Sequence, residues 1–259
     1  MQRFFKKDYT DIYLFTKLMK YAIFSDIHGN LEALGAVIYA LSKEKIDKYL
    51  CAGDVVGYGA DPGTCLKKVK QKTSSIISGN HEAACSGLFP LENLNENAAS
   101  AVVWTKKILK TEEIDSLRGL PLVFENKDLA MAHGSLDNPQ EFCYLFEPYE
   151  SKETFDLLKK NICFIGHTHR PRIFVKRDTI ISLIGDNKLE LNPDYKYVVN
   201  IGSVGQPRDG DPRASYCIYD TQKQEIEIKR VSYDIETAQK KIIEAGLPRI
   251  LADRLALGR

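Results

Sequence analysis

The sequence carries no excess of either charge: 36 Lys and Arg stand against 35 Asp and Glu, and no stretch gathers its basic residues as a nucleic-acid groove does. It therefore has no strong nucleic-acid signal. It also lacks any apolar run near the ~20 residues that a bilayer crossing needs, since runs such as 21–24 and 161–165 are strand-sized. No segment is expected to cross a membrane. The six cysteines form neither a CxxC pair nor a disulfide-rich framework. Several, Cys51 and Cys163 among them, sit inside apolar runs, where a thiol serves as a small core residue. The basic, aromatic first residues are interrupted by Asp8 and Asp11 and are followed by no small-residue cleavage site, so a cytoplasmic protein is expected.

What is present is enough for a large core: 259 residues, 44% of them hydrophobic. One pattern recurs along the chain, an apolar run closed by a small residue and then a polar cluster. Tyr21–Phe24 leads to Ser25, Asp26 and His28; Tyr49–Cys51 to Gly53 and Asp54; Ile76 and Ile77 to Gly79, Asn80 and His81. Leu129–Met131 leads to His133, Ile162–Ile165 to Gly166, His167 and His169, and Tyr197–Val199 to Asn200. Short continuous apolar runs suit strands buried on both faces, and in α/β sheets ligands gather beyond the carboxyl ends of such strands. One shared rim is expected to collect these polar groups. Helices are expected from an Asn30 cap through Leu41, from an Asp61-Pro62 start over 64–71, and over 98–109, 152–160, 235–245 and 248–256. From Arg172 onward the texture becomes strand-like and antiparallel.

The chain has five histidines, His28, His81, His133, His167 and His169, and each follows an apolar run. Asp26 and His28 lie two residues apart at a strand end, where an extended backbone would point them the same way. Asp54 adds a carboxylate able to bridge two cations, and Asn80 a neutral oxygen. A nitrogen and oxygen ligand set without cysteine suits Mn, Fe, Zn or Ni. Gly53 and Gly166 are read as letting backbone approach the site closely, with a plain turn an equal reading for either. Arg208 and Arg213 lie in a Gly/Pro/Asp-rich loop where a guanidinium could hold a phosphate oxygen pair, a solvated loop arginine being an equal reading for each; Arg208 is the candidate for substrate binding.

Asp26-Ile-His28, Gly53-Asp54, Gly79-Asn80-His81-Glu82, His133 and Gly166-His167-Thr168-His169, in this order, resemble the calcineurin-like metallophosphoesterase signature. The segment 200–208 resembles one typical of the small prokaryotic phosphodiesterases of that superfamily. The resemblance implies a four-layer α/β/β/α sandwich of two mixed sheets. It implies two divalent or trivalent transition-metal ions, manganese first and then Fe, Ni or Zn. Asp26, His28 and His169 would bind one ion, Asn80, His133 and His167 the other, and Asp54 both. His81 would protonate the leaving oxygen after attack by a metal-bridging hydroxide. Protein phosphatases of the superfamily carry an Asp-Arg pair where this chain has Gly57 and Tyr58, which favours phosphodiesters or small nucleotide phosphoesters as substrates. The alternatives are a phosphomonoesterase or protein phosphatase of the same superfamily, or a non-catalytic scaffold on the same fold. Residues 1–18 read as an N-terminal extension of unknown role, and 19–259 as one metallophosphoesterase domain. The oligomeric state is not legible.

Overall fold

A computed structural model describes residues 18–259; apart from Leu18, the expected N-terminal extension lies outside the described residues. Eleven strands form two mixed sheets among the described residues. The first sheet contains β1 (Lys20–Phe24), β2 (Lys48–Cys51), β8 (Lys188–Glu190), β10 (Ala214–Asp220) and β11 (Glu225–Val231), in the order β2-β1-β10-β11-β8. The second contains β3 (Val123–Glu125), β4 (Ala130–Ala132), β5 (Ile162–Ile165), β6 (Arg172–Arg177), β7 (Ile180–Ile184) and β9 (Lys196–Asn200), in the order β3-β4-β5-β9-β6-β7. β1 pairs in parallel with β2, and β5 in parallel with β4 and β9. The later pairings β6·β7, β6·β9 and β10·β11 are antiparallel, as the change of texture after Arg172 predicts.

Strand alternation explains the layering. Along β1, Tyr21 and Ile23 join a core shared with Phe164 of β5, Val199 of β9 and Ile228 of β11, so the two sheets face each other across these side chains. Ala22 and Phe24 point the other way, into a second core with Leu34, Val37 and Leu41 of α1 (Leu31–Leu41) and Leu66 and Val69 of α2 (Pro62–Lys72). β5 repeats the division: Ile162 and Phe164 face the other sheet, while Cys163 and Ile165 pack with Phe155 and Leu158 at α6 (Lys152–Leu157). The result is the expected four-layer α/β/β/α sandwich. Fully burying each large aliphatic or aromatic side chain contributes about 1.5–3 kcal/mol.

Asn30 caps α1 as expected, its Oδ1 accepting from the Ala33 N–H at 3.0 Å. Asp61 occupies the cap position of α2 but makes no capping bond; its carboxylate accepts instead from Lys241 Nζ at 2.8 Å. That lysine belongs to α7 (Ile235–Glu244) and also reaches Glu32 of α1 at 2.5 Å, tying the C-terminal helix to the first βα unit. Two α-helices and two strands have no counterpart among the elements expected from the sequence: α3 (Asn80–Ser86), α5 (Thr111–Arg118), β3 and β8. The run at Ile76 and Ile77 forms only an isolated parallel bridge from Ile76 to Cys51. Of the stretch around Trp104 in α4 (Glu96–Ile108), Val102 is buried, whereas Val103 and Ile108 are exposed.

Candidate metal centre

The polar groups that follow β1, β2, β4 and β5 meet at one end of the sandwich, all of them buried. The backbone that brings them together is not extended. Asp26, His28, Asp54, His167 and His169 have φ of 54°, 50°, 53°, 67° and 59°, in the left-handed region that non-glycine residues seldom occupy. Asp26 and His28 therefore converge through two left-handed turns, and the expectation of an extended backbone there is corrected. Strain of this kind costs about 1–3 kcal/mol per residue and persists where the surroundings over-determine it. Here the surroundings include Gly166, where a Cβ would stand 2.3 Å from Asp26 Oδ2, and Gly53, where one would stand 2.6 Å from the Gly79 nitrogen and 3.0 Å from His133 Nδ1. The close approach expected at both glycines is present.

The potential ligand atoms form three overlapping groups, each within 4.8 Å: Asp26, His28 and His169; His28, Asp54 and His81; and Asp54, His133 and His167. His28 Nε2 lies 3.0 Å from His169 Nε2, and His169 Nε2 lies 3.1 Å from Asp26 Oδ1. On the other side, His133 Nε2 lies 3.2 Å from Asp54 Oδ2 and 3.1 Å from His167 Nδ1. Asp54 is the residue between the two sides, 3.6 Å from His28 Nε2 through the same Oδ2.

The far side of three of the imidazoles is anchored by a carbonyl: Ala52 O lies 2.7 Å from His133 Nδ1, Gln206 O 2.6 Å from His169 Nδ1, and Val56 O 3.2 Å from His28 Nδ1. Such outer contacts set the tautomer and leave Nε2 free to bind a cation. Asn80 Oδ1 is buried without a hydrogen-bond partner, an arrangement costing roughly 1–3 kcal/mol unless something absent from the protein atoms accepts its lone pairs. The donor set, the anchored rings and this orphaned oxygen all fit transition-metal ions.

Electrostatics agree with that fit. Burial alone would raise both Asp26 and Asp54, but the imidazoles of His169 and His133 outweigh it and hold both carboxyls below their usual range. Burial, aided by neighbouring imidazoles, pushes His28 and His167 well down. Burial pushes His81 to about 4, with the charges of His169 and Arg208 acting in the same direction. His133 runs the other way: burial opposes its proton, yet Asp54 and Asp26 lift it to about 10. Ionised carboxyls and neutral imidazoles are the ligating forms, so cation binding at His133 displaces a proton.

His81 lies in the first turn of α3, its backbone N–H donating to Asp54 Oδ1 at 3.0 Å and its Nδ1 buried without a partner. Its ring packs on Tyr58 at 4.5 Å and edge-on to His28 at 4.7 Å. Arg208 lies beside them, its guanidinium 5.6 Å from the Tyr58 ring centre and bonded to Gln206 Oε1 at 2.6 Å. Arg213 is elsewhere, forked onto Asp211 in an exposed loop.

Sequence reasoning gave no role to Glu82, although it stands in the quoted motif. Fully buried, its carboxylate accepts from the N–H groups of Asp54 (2.6 Å), Val55 (2.7 Å), Val56 (3.1 Å) and Gly79 (2.9 Å). It thereby fixes the Asp54 turn against α3. Burial and the nearby Asp54 charge push its carboxyl up to about 7. Asn200 has a parallel task, donating to Gly166 O at 2.6 Å and Thr168 Oγ1 at 2.9 Å, which braces the loop carrying His167 and His169.

Residues 19–224 match the model of the calcineurin-like phosphoesterase superfamily domain. The chain belongs to this superfamily. A solved metallophosphoesterase of Sphaerobacter thermophilus is 34% identical, with a TM-score of 0.80 over 93% of this chain and 100% of that one. An uncharacterised protein of Methanocaldococcus jannaschii is 41% identical over 242 residues, covering 92% of this chain and 98% of the relative. A hypothetical protein of Pyrococcus horikoshii OT3 shares the fold at 19% identity and a TM-score of 0.73, covering 93% and 98%. As a member of this superfamily, the chain presents its candidate His and Asp clusters beyond the strand ends at one end of the sandwich, where the family resemblance leads one to look for metal.

Proposed function

We propose that this chain hydrolyses phosphodiesters or small nucleotide phosphoesters at a two-metal centre. The observation that carries the reading is the pair of His/Asp clusters sharing Asp54, with the partnerless Asn80 oxygen beside them. Asp26, His28, His169 and Asp54 would hold one ion, and Asn80, His133, His167 and Asp54 the other. Manganese is the first candidate among Mn, Fe, Ni and Zn, which suit such ligands. Bound ions supply Lewis acidity toward a phosphoryl oxygen and ionise water near neutral pH.

The chain's own residues do the rest. Asp26 and Asp54 would offset the cations' charge, and the carbonyl contacts of His28, His133 and His169 hold those rings in place. His81 is assigned the proton for the leaving oxygen, because an alkoxide departs poorly unless protonated. Burial disfavours its charged form, so an anionic phosphoryl group brought close to it favours the proton it must donate. Arg208 is assigned a phosphoryl oxygen, with Tyr58 supporting its guanidinium. Tyr58 fills the position where protein phosphatases of the superfamily carry arginine, which supports diester over phosphoprotein substrates.

Assay of the metal-stripped protein on a generic phosphodiester and a phosphomonoester, with Mn²⁺, Ni²⁺, Zn²⁺ or Mg²⁺ restored singly, tests this. Metal-dependent turnover with the diester preferred is expected. No turnover with any of the metals would favour a scaffold role for the fold.

A further inference from the structure

A cavity of about 210 Å³ opens beside Asn80 and His167 and is walled by Phe89, Phe142, Tyr144 and Tyr58. Three features make it a built wall. Phe142 has φ of 50°, a conformation costly for a bulky side chain, and its ring meets Phe89 edge-on at 5.4 Å and His133 at 5.9 Å. Gly134 permits this path: a Cβ there would stand 2.5 Å from the Cys143 carbonyl oxygen and 2.9 Å from the Phe142 carbonyl carbon. Tyr144 stacks on the His167 ring at 3.9 Å and 13°, which fixes its orientation at the mouth of the centre.

The polar groups of this cavity carry no positive charge. Asn93, Asn95 and Glu141 line it, and neither Lys nor Arg does. Asn95 also caps α4, its Oδ1 accepting from the Ala98 N–H at 3.0 Å. Amides and a carboxylate read the donor and acceptor edge of a heteroaromatic ring, whereas a phosphate would be repelled by Glu141. Arg170, Arg172 and Arg208 line a separate cavity of about 380 Å³. The smaller cavity is below the ~300–1,000 Å³ of drug-sized sites, which suits one ring system.

We propose that this aromatic cavity holds the nucleobase of a nucleotide ester whose phosphate sits at the metal centre. The proposal rests on the phosphoesterase reading and names its substrate class.

The test is calorimetric titration of the metal-loaded His81→Ala protein with adenosine 5′-monophosphate and with methyl phosphate, which share a phosphate and differ in the base. The nucleotide is expected to bind more than tenfold tighter, the scale that base–aromatic stacking supplies. Phe89→Leu, Asn93→Ala and Glu141→Gln, each added to that background, should reduce the ratio at least threefold and leave methyl phosphate affinity unchanged. Asn93 and Glu141 are exposed, so these two variants keep the fold if Phe89→Leu does not. Equal affinities, absence of binding by either ligand, or a ratio untouched by all three variants overturns the proposal. Nucleotide preference without hydrolysis by the metal-restored wild-type protein would refute the phosphoesterase reading alone; hydrolysis without nucleotide preference would refute the base site alone.

Discussion

At the scale of single residues, His81 and the space around it are decisive. His81→Ala should lower turnover by ~10²–10⁴ while metal content is unchanged, as befits a proton donor. Because its nitrogen also lies within 4.8 Å of ligand atoms of His28 and Asp54, loss of an ion in this variant would instead make it a ligand. Retained turnover would remove it from the mechanism. Gly57 tests the same residue from outside. A Cβ on Gly57 would stand 2.1 Å from His81 Nδ1, and its φ of +85° disfavours any side chain. Gly57→Ala should therefore cost on the order of 1–3 kcal/mol in stability and depress turnover, read by thermal unfolding and by the diester assay. The residues proposed as ligands stood out in the sequence because each follows an apolar run in a motif of fixed order. Glu82 was not, since its role lies in four backbone N–H groups, three of them 26–28 residues away, that only the folded turn presents.

Elements follow the same division. β1, β5 and α1 were legible because continuous apolar runs and helical spacing report burial directly. α5 was not, having only Ile114 and Leu117 as apolar residues among eight, and β8 has a single one, Leu189. α3 begins inside the metal motif, so its first residues read as ligands before they read as a helix. The left-handed turns at Asp26 and His28 were hidden for a different reason: Asp and His are enriched at positive φ, yet most of them occur elsewhere, so the residue type alone does not place the turn. One tie between elements is testable by pH. Glu44 bonds Lys20 of β1 at 2.9 Å and Lys229 of β11 at 2.8 Å, and these hydrogen bonds lower its carboxyl from 4.5 to about 2. A folded value below the unfolded one means this stabilisation is present above pH 4.5 and is lost as pH falls toward 2. Glu44→Gln should cost about 1 kcal/mol at neutral pH and flatten the stability profile between pH 4.5 and 2.

At the scale of the molecule, the sandwich brings the proposed ligands together from the ends of four strands drawn from both sheets, so cations bound there would clamp the two sheets together. Ions that bind only the folded state stabilise it by mass action, about 4 kcal/mol at a thousandfold excess over the dissociation constant. Saturating metal should then raise the melting temperature of the stripped protein by on the order of 10 °C. The most direct measurement is the metal content of the purified, reconstituted protein by inductively coupled plasma mass spectrometry, in the wild type and in Asp54→Ala. Two ions per chain, falling to one or none when Asp54 is removed, is the predicted result. One ion or none in the wild type, or two retained without Asp54, would contradict a centre built on a shared carboxylate.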